Sequence, residues 1–270
     1  MTTIHPLATV SPDARLGDNV QIGPYAFIDS DVEIGDNTVV QPHAVIYRYV
    51  RIGRDCEIFP GAVIGAIPQD LKFDGEITYV EIGDRVTIRE CATVNRGTKA
   101  SGKGITRIGD DTLVMSYVHV AHDCRVGRHC ILVSYVGLAG ETDVDDWAII
   151  GGSTVVHPVS KIGAPAMIGG GSRVNKDIPP YSLCGREPVS FAGVNIVGLR
   201  RRGFSADTIR NIKDIYDTIY YQGFNISDGC ARVEAGFPPS EERDTILTFI
   251  RNSSRGIVRA ADLREKASID

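Results

Sequence analysis

VMSYVHVAHDCRVGRHCILVSYVGLAGETDVDDWAII, residues 114–150, returns to a large aliphatic every six residues, at Val114, Val120, Val126, Leu132, Leu138, Val144 and Ile150. The same phase continues through Val156, Ile162, Ile168 and Val174, and starts one step earlier at Ile108. Before one interruption it reads Ile82, Ile88, Val94. Before another it runs unbroken from Ile4 through Val10, Leu16, Ile22, Ile28, Ile34, Val40, Ile46, Ile52 and Ile58 to Ile64. Every position is Ile, Val or Leu in a chain that is 43% hydrophobic, so chance does not account for the period. The fourth residue after each aliphatic is small or β-branched, as in Ala26, Val32, Thr38, Ala44, Cys56, Thr98, Cys124, Cys130 and Ser160.

A six-residue period matches neither the helical repeat nor simple strand alternation. It fits a parallel β-helix of triangular section, in which each hexad is one short side and three hexads close a coil. Successive coils stack at ~4.8 Å. A large aliphatic beside a small or β-branched residue fills a narrow interior. Cys56, Cys124 and Cys130 fall on the small interior position and read as structural filler. The architecture is all-β, with the hand of the coil open at this point.

Two stretches break the repeat. Gly65 to Glu81 and Asn95 to Arg107 (NRGTKASGKGITR) are polar, and read as loops thrown out near 65–81 and 95–107. They are either tolerated surface insertions or carriers of binding residues. The repeat ends near Asp177-Ile178-Pro179-Pro180. Residues 1–190 are assigned to the β-helix and 191–270 to a small helical domain. Ser205 is a plausible N-cap for a helix through about Tyr221, stopped by Gly223. Further helices are expected near 227–235 and 240–252, and the residues after about Arg259 are expected to be poorly tied down.

The balance of 34 acidic against 29 basic residues argues against a nucleic-acid partner. No run approaches the roughly 18 apolar residues of a membrane span. No secretion signal is visible and the six cysteines show no zinc or CxxC spacing, so a reduced, cytoplasmic setting and no metal site are expected.

All six histidines miss the interior positions. The hexads starting at Val120, Leu138 and Val156 should stack in consecutive coils. That gathers His122, Gly140, Glu141 and His157, with His119 at the adjoining corner. An imidazole with a nearby carboxylate is the arrangement of a general base. Spacing leaves the carboxylate open between Asp123 and Glu141. Strand alternation counts against Asp123.

The segments IGAIPQDLKF (64–73), VTIRECATVNRGT (86–98), VHVAHDC (118–124), IIGG (149–152), DIPPY (177–181) and GVNIVGLRRRGF (193–204) resemble the UDP-N-acetylglucosamine O-acyltransferases, a family of hexapeptide-repeat transferases. The resemblance covers nearly the whole chain. It implies a left-handed coil and a homotrimer that begins lipid A synthesis. A 3-hydroxyacyl group would pass from the phosphopantetheine of acyl carrier protein to the sugar 3-hydroxyl, with no resident cofactor. His122 would be the base, Asp123 its support and the Gly140 N–H the oxyanion donor. Gln69, Asp70, Leu71 and Lys72, with His119, Glu141 and His157, would line the sugar and pantetheine site. Asn195, Arg201 and Arg202 would meet the nucleotide, across a subunit boundary. Gly170, placed about three coils or ~14 Å beyond His122, would leave room for a long acyl chain. Glu141, Pro158, Val197 and Asn95 depart from the family's usual residues, which fits either a lineage variant or a related N-acyltransferase that acts on a 3-amino UDP-sugar and makes an amide.

Two relatives of similar fold compete with this reading. A later N-acyltransferase carries an N-terminal uridine-binding domain, for which hexads beginning at Ile4 leave no room. A trimeric metal-dependent carbonic anhydrase needs three histidines on one metal. It would leave the QDLKF and RRRGF segments unexplained.

Overall fold

A computed structural model describes residues 1–260. The hexads form the left-handed parallel β-helix, with three flat sheets as the sides of a prism. The first face carries Ile4, Ile22, Val40, Ile58, Ile88, Val114, Leu132, Ile150 and Ile168, each strand hydrogen-bonded to the next coil. The second carries the Val10 to Val174 series and the third the Leu16 to Ile162 series. Where no loop intervenes, partners are eighteen residues apart, as in His119 with Gly137 and Val120 with Leu138.

Each side is a two-residue strand followed by a corner. The third residue after the aliphatic adopts positive φ at almost every corner: Asn19, Tyr25, Asp31 and Asn37, through Asp123, His129, Tyr135 and Glu141. Left-handed backbone costs a non-glycine residue something, and here the stacked ladder holds it at each turn. The right-handed rule for parallel crossovers rests on a helix packing back on the sheet. Corners this short hold no helix, so that reason lapses.

The aliphatics and their small partners fill the prism from Val20 onward. The first coil is the exception: Ile4 is exposed and Val10 and Leu16 are half-buried, because nothing stacks beneath them. Cys56, Cys124 and Cys130 sit inside, and burial pushes their thiols up to about 11, 12 and 12. They are inert filler, as the repeat predicts.

At the other end the first face continues through Ser182–Gly185 and the antiparallel Ser190–Val194. Four helices follow: α1 (Ile196–Arg201), α2 (Ala206–Tyr221), α3 (Ile226–Gly236) and α4 (Glu241–Arg251). The Ser205, Asn225 and Ser240 side chains cap α2, α3 and α4. Tyr216 of α2 is fully buried, stacks near Phe191 and donates its hydroxyl to Pro180 O at 2.5 Å. The end of the coil is thereby covered. Arg259 and Ala260 are tied down, since Phe191 N donates to Arg259 O and Phe191 bridges to Ala260. The remainder of the tail predicted to be loose lies outside the described residues.

Candidate active site

Ile64, Val94, Val120 and Leu138 belong to one ladder on the second face. Both loops leave the prism just after that ladder, between the strands Val63–Ala66 and Tyr79–Ile82, and between Thr93–Asn95 and Ile105–Ile108. His122 and Gly140 are the matching corner residues of the next two coils. Four consecutive levels of one edge thus carry both insertions and the histidine. That removes the bland alternative of scattered surface insertions.

His122 and Asp123 are turn residues, with Asp123 at φ 61°. The alternation argument against Asp123 therefore fails, because it applies to strand residues. The left-handed turn folds the carboxylate back beside the ring, and His122 Nδ1 donates to Asp123 Oδ2 at 2.8 Å. The carboxylate is wholly buried. It also accepts from Thr98 N at 2.9 Å and Thr98 Oγ1 at 2.8 Å. Those donors offset the cost of taking the charge out of water. Thr106 Oγ1 accepts from Asp123 N at 2.8 Å, and Lys103 Nζ donates to Asp123 O at 3.3 Å. Gly97 lets the second loop lie this close, since a methyl group there would fall 2.6 Å from Asp123 Oδ1 and 2.1 Å from Ile105 N.

With Nδ1 bound to Asp123, Nε2 of His122 is the free, basic nitrogen. It faces Gly140: a methyl group on that glycine would fall 2.4 Å from both Nε2 and Cε1. The N–H of this corner position is left out of the ladder. At Asp18, Arg54, Asp84 and Arg128 an aspartate of the next coil caps it, at 2.7, 3.0, 2.9 and 2.8 Å. At Gly140 no acceptor takes it among the described residues. An imidazole nitrogen and an open amide donor therefore stand side by side on this edge.

The first loop reaches up to the same point. Asp70 Oδ2 lies 3.7 Å from His122 Nε2, and both side chains are 16% exposed. Asp70 shapes its own turn by accepting from Lys72 N at 3.0 Å. Asn95 anchors the loop by donating to Ile67 O at 2.9 Å. Beneath His122, the His119 Nδ1 meets Thr93 Oγ1 at 2.7 Å. Burial, with the nearby His122, lowers the His119 imidazole below its ordinary value.

The sequence as a whole is similar to known proteins. The model for domain 2 of UDP-N-acetylglucosamine O-acyltransferase matches residues 177–258, and the bacterial transferase hexapeptide model matches residues 13–48, 31–66 and 105–140. The acyl-[acyl-carrier-protein]--UDP-N-acetylglucosamine O-acyltransferase of Thiobacillus denitrificans is 48% identical over 259 residues, covering 96% of this chain and 100% of the relative. The chain belongs to the UDP-N-acetylglucosamine O-acyltransferase family. The protein of that name from Verminephrobacter eiseniae is 46% identical over 263 residues, 96% of this chain and 100% of its own. The solved UDP-N-acetylglucosamine acyltransferase of Bacteroides fragilis shares 50% identity at TM-score 0.92, covering 95% of this chain and 100% of that one. That of Francisella novicida shares 34% at TM-score 0.93, covering 99% of each. Membership in this acyltransferase family favours the O-acyltransferase reading over both rivals.

Some residues that the family resemblance assigns to the site stand elsewhere in this chain. Gly170 comes eight hexads after His122, not nine, so it lies on the edge after the first face, against Gly152. The expected three coils along the axis are thus two and two-thirds, and the residue faces a neighbouring edge of the prism. His157 is exposed two coils beyond, with Nδ1 turned to its own Pro158 O at 3.2 Å. Glu141 donates its N–H to His122 O at 2.9 Å, but no hydrogen bond or ion pair joins its carboxylate to the ring. Asn195 is 7% exposed and serves as the N-cap of α1, accepting from Gly198 N at 3.1 Å and donating to Pro165 O at 3.2 Å. Both ends of its amide are engaged within the chain. Arg202 donates to Gly198 O at 2.8 Å and Trp147 O at 3.2 Å and lies over the Trp147 ring. Gln69, Leu71, Lys72 and Arg201 are exposed.

Sequence reasoning missed Thr98, Thr106, Lys103 and Gly97. The signal was present. Counting each loop as an enlarged corner places Val94 and Val120 in one ladder, and Thr98 on the interior series beside Asp123.

Proposed function

We propose that the chain transfers a 3-hydroxyacyl group from acyl carrier protein to the 3-hydroxyl of UDP-N-acetylglucosamine, the first step of lipid A synthesis. The observation that carries this is the placing of His122 Nε2 against the open Gly140 N–H, with Asp123 buried behind the ring. Nε2 takes the hydroxyl proton as the oxygen attacks the thioester carbonyl. Asp123 fixes the tautomer and stabilises the imidazolium that forms. The carbonyl oxygen, now an oxyanion, accepts from Gly140 N–H. The C–S bond then breaks, and the imidazolium returns its proton to the departing thiolate. A placed base contributes roughly 10²- to 10⁴-fold and one oxyanion donor about 10²- to 10³-fold. Holding both substrates in register supplies much of the remainder. Asp70, 3.7 Å from Nε2, is placed to orient the sugar hydroxyl.

No resident cofactor is needed, because the acyl group arrives already activated as a thioester. A homotrimer fits the layout. Gln69, Leu71 and Lys72 are exposed beside His122, whereas Arg201 is exposed next to Arg202 at the Trp147 corner, on a different edge; a second subunit would bring such an edge against the His122 site. Nucleotide contacts from Arg201 and Arg202, and an acyl-limiting role for Gly170, belong to a site completed in that way. The cytoplasm is the proposed setting: all six cysteines are free, and no helix among the described residues is long and apolar enough to cross a membrane.

The test is incubation with UDP-N-acetylglucosamine and a panel of acyl carriers, with products weighed by mass spectrometry. The expected product is the 3-O-acyl ester, formed from a 3-hydroxyacyl donor. Turnover confined to a 3-amino sugar, giving an amide, would contradict the proposal.

A further inference from the structure

The active edge holds a second cavity toward the N-terminal end. It has a volume of about 310 Å³ and is lined by Asp29, Tyr47, Arg48, Gly65, Ala66, Ile67 and Arg96. Arg96 decides its character. Its residue is 7% exposed, and its guanidinium lies 5.3 Å from the Tyr49 ring centre and 5.4 Å from that of Phe73. Its Nε is buried without a partner, and no carboxylate pairs with the group among the described residues. The neighbouring Arg48, by contrast, is paired with Asp29 at 3.4 Å. A buried, unpaired cation is costly unless something satisfies it. The two aromatic faces repay part of that cost and point the fork at a fixed place. The remaining demand is for an anion.

The cavity's position narrows the choice. Most of its walls come from the corners two and three coils below His122, roughly 10–14 Å along the axis; Asp29 lies one coil lower still, and Arg96, from the corner one coil below His122, reaches down to the Tyr49 ring on the third. The arm that carries the acyl group has two amides and a short branched segment between its thiol and its phosphate. Extended, it spans about as much as four residues, roughly 14 Å. Tyr47, Ala66 and Ile67 give the cavity apolar walls beside Arg96, unpaired among the described residues, which suits a branched hydrocarbon next to a phosphate ester. We propose that this cavity is the anion subsite for the phosphate end of the carrier's phosphopantetheine arm, with Arg96 as the recognising group. The inference rests on the acyl-carrier reading given above. The sugar nucleotide also brings phosphate, so the test must separate the two sources.

Two synthetic donors do this: 3-hydroxyacyl-S-phosphopantetheine and the same compound without its phosphate. The wild type should use the phosphorylated donor about tenfold or more better in kcat/KM, the scale of one charge-assisted contact. Arg96→Gln should bring that ratio close to one while the KM for UDP-N-acetylglucosamine stays put. Ile67→Asp puts a carboxylate at an exposed position of the mouth and should lower the ratio without relying on a change at the buried arginine. Equal use of both donors by the wild type overturns the inference, and so does a ratio that survives both substitutions. A rise in KM for the sugar nucleotide alone assigns the cavity to its diphosphate and overturns it as well. If the wild type transfers from neither donor nor from intact acyl carrier protein, the functional reading itself has failed, which is a separate result.

Discussion

At the residue scale the site depends on three neighbours with fixed parts. Asp123 is buried and triply hydrogen-bonded, His122 takes its tautomer from it, and Gly140 has no side chain because the ring occupies that space. Gly140→Ala is therefore a sharp probe. Its methyl group must push the imidazole aside, and a displacement near 1 Å costs on the order of 10²-fold in rate. Turnover should fall by about that factor, while the thermal melting curve stays near wild type. An active Gly140→Ala enzyme would show that the ring does not work from where it lies. The sequence alone revealed His122 and Gly140, because the hexad count places them in adjacent coils. It left the carboxylate undecided. The left-handed turn at Asp123 is a corner property, invisible to a rule built for strands.

Among the elements, the second loop is the part that holds Asp123 in place beside the His122 ring. Its opening residues cover Asp123 and donate to it twice, from Thr98 N and Thr98 Oγ1. Thr98→Val keeps the shape and removes the hydroxyl donor to a buried charge, which costs about 1–3 kcal/mol. The expected result is a lower melting temperature and a reduced kcat with KM little changed, both restored by Thr98→Ser. Equal kcat in Thr98→Val and wild type would confine the threonine to a structural role. Both loops were legible as interruptions of the repeat. Their departure from one edge was not read, because the break in phase hides that Ile64, Val94 and Val120 share a ladder. The helices were legible, α2 with Ser205 as its cap, whereas the capping by Asn225 and Ser240 was not read. The use of Asn195 as a cap of the short α1 was masked by the family resemblance, which assigns that asparagine to substrate.

At the scale of the whole molecule the protein is a stack, in which each coil contacts chiefly the coils above and below. Such a scaffold is rigid along its axis, and it sets distances along an edge in steps of ~4.8 Å. The active edge uses that ruler. The arginine-lined cavity lies below, and His122 Nε2 and the Gly140 amide lie next to each other above it. The hexad series made this architecture readable throughout, with Gly170 one hexad short of the three full coils expected for it. What no single chain's sequence conveys is whether another subunit faces this edge, since a partner leaves no mark on the chain's own periodicity. The central claim is that His122 removes the proton from the attacking hydroxyl. It is tested most directly by the steady-state rate of purified His122→Ala with UDP-N-acetylglucosamine and a 3-hydroxyacyl carrier, alongside its circular dichroism and sedimentation. The account predicts a loss of about 10²-fold or more, with fold and assembly unchanged. A variant that turns over at the wild-type rate would contradict it.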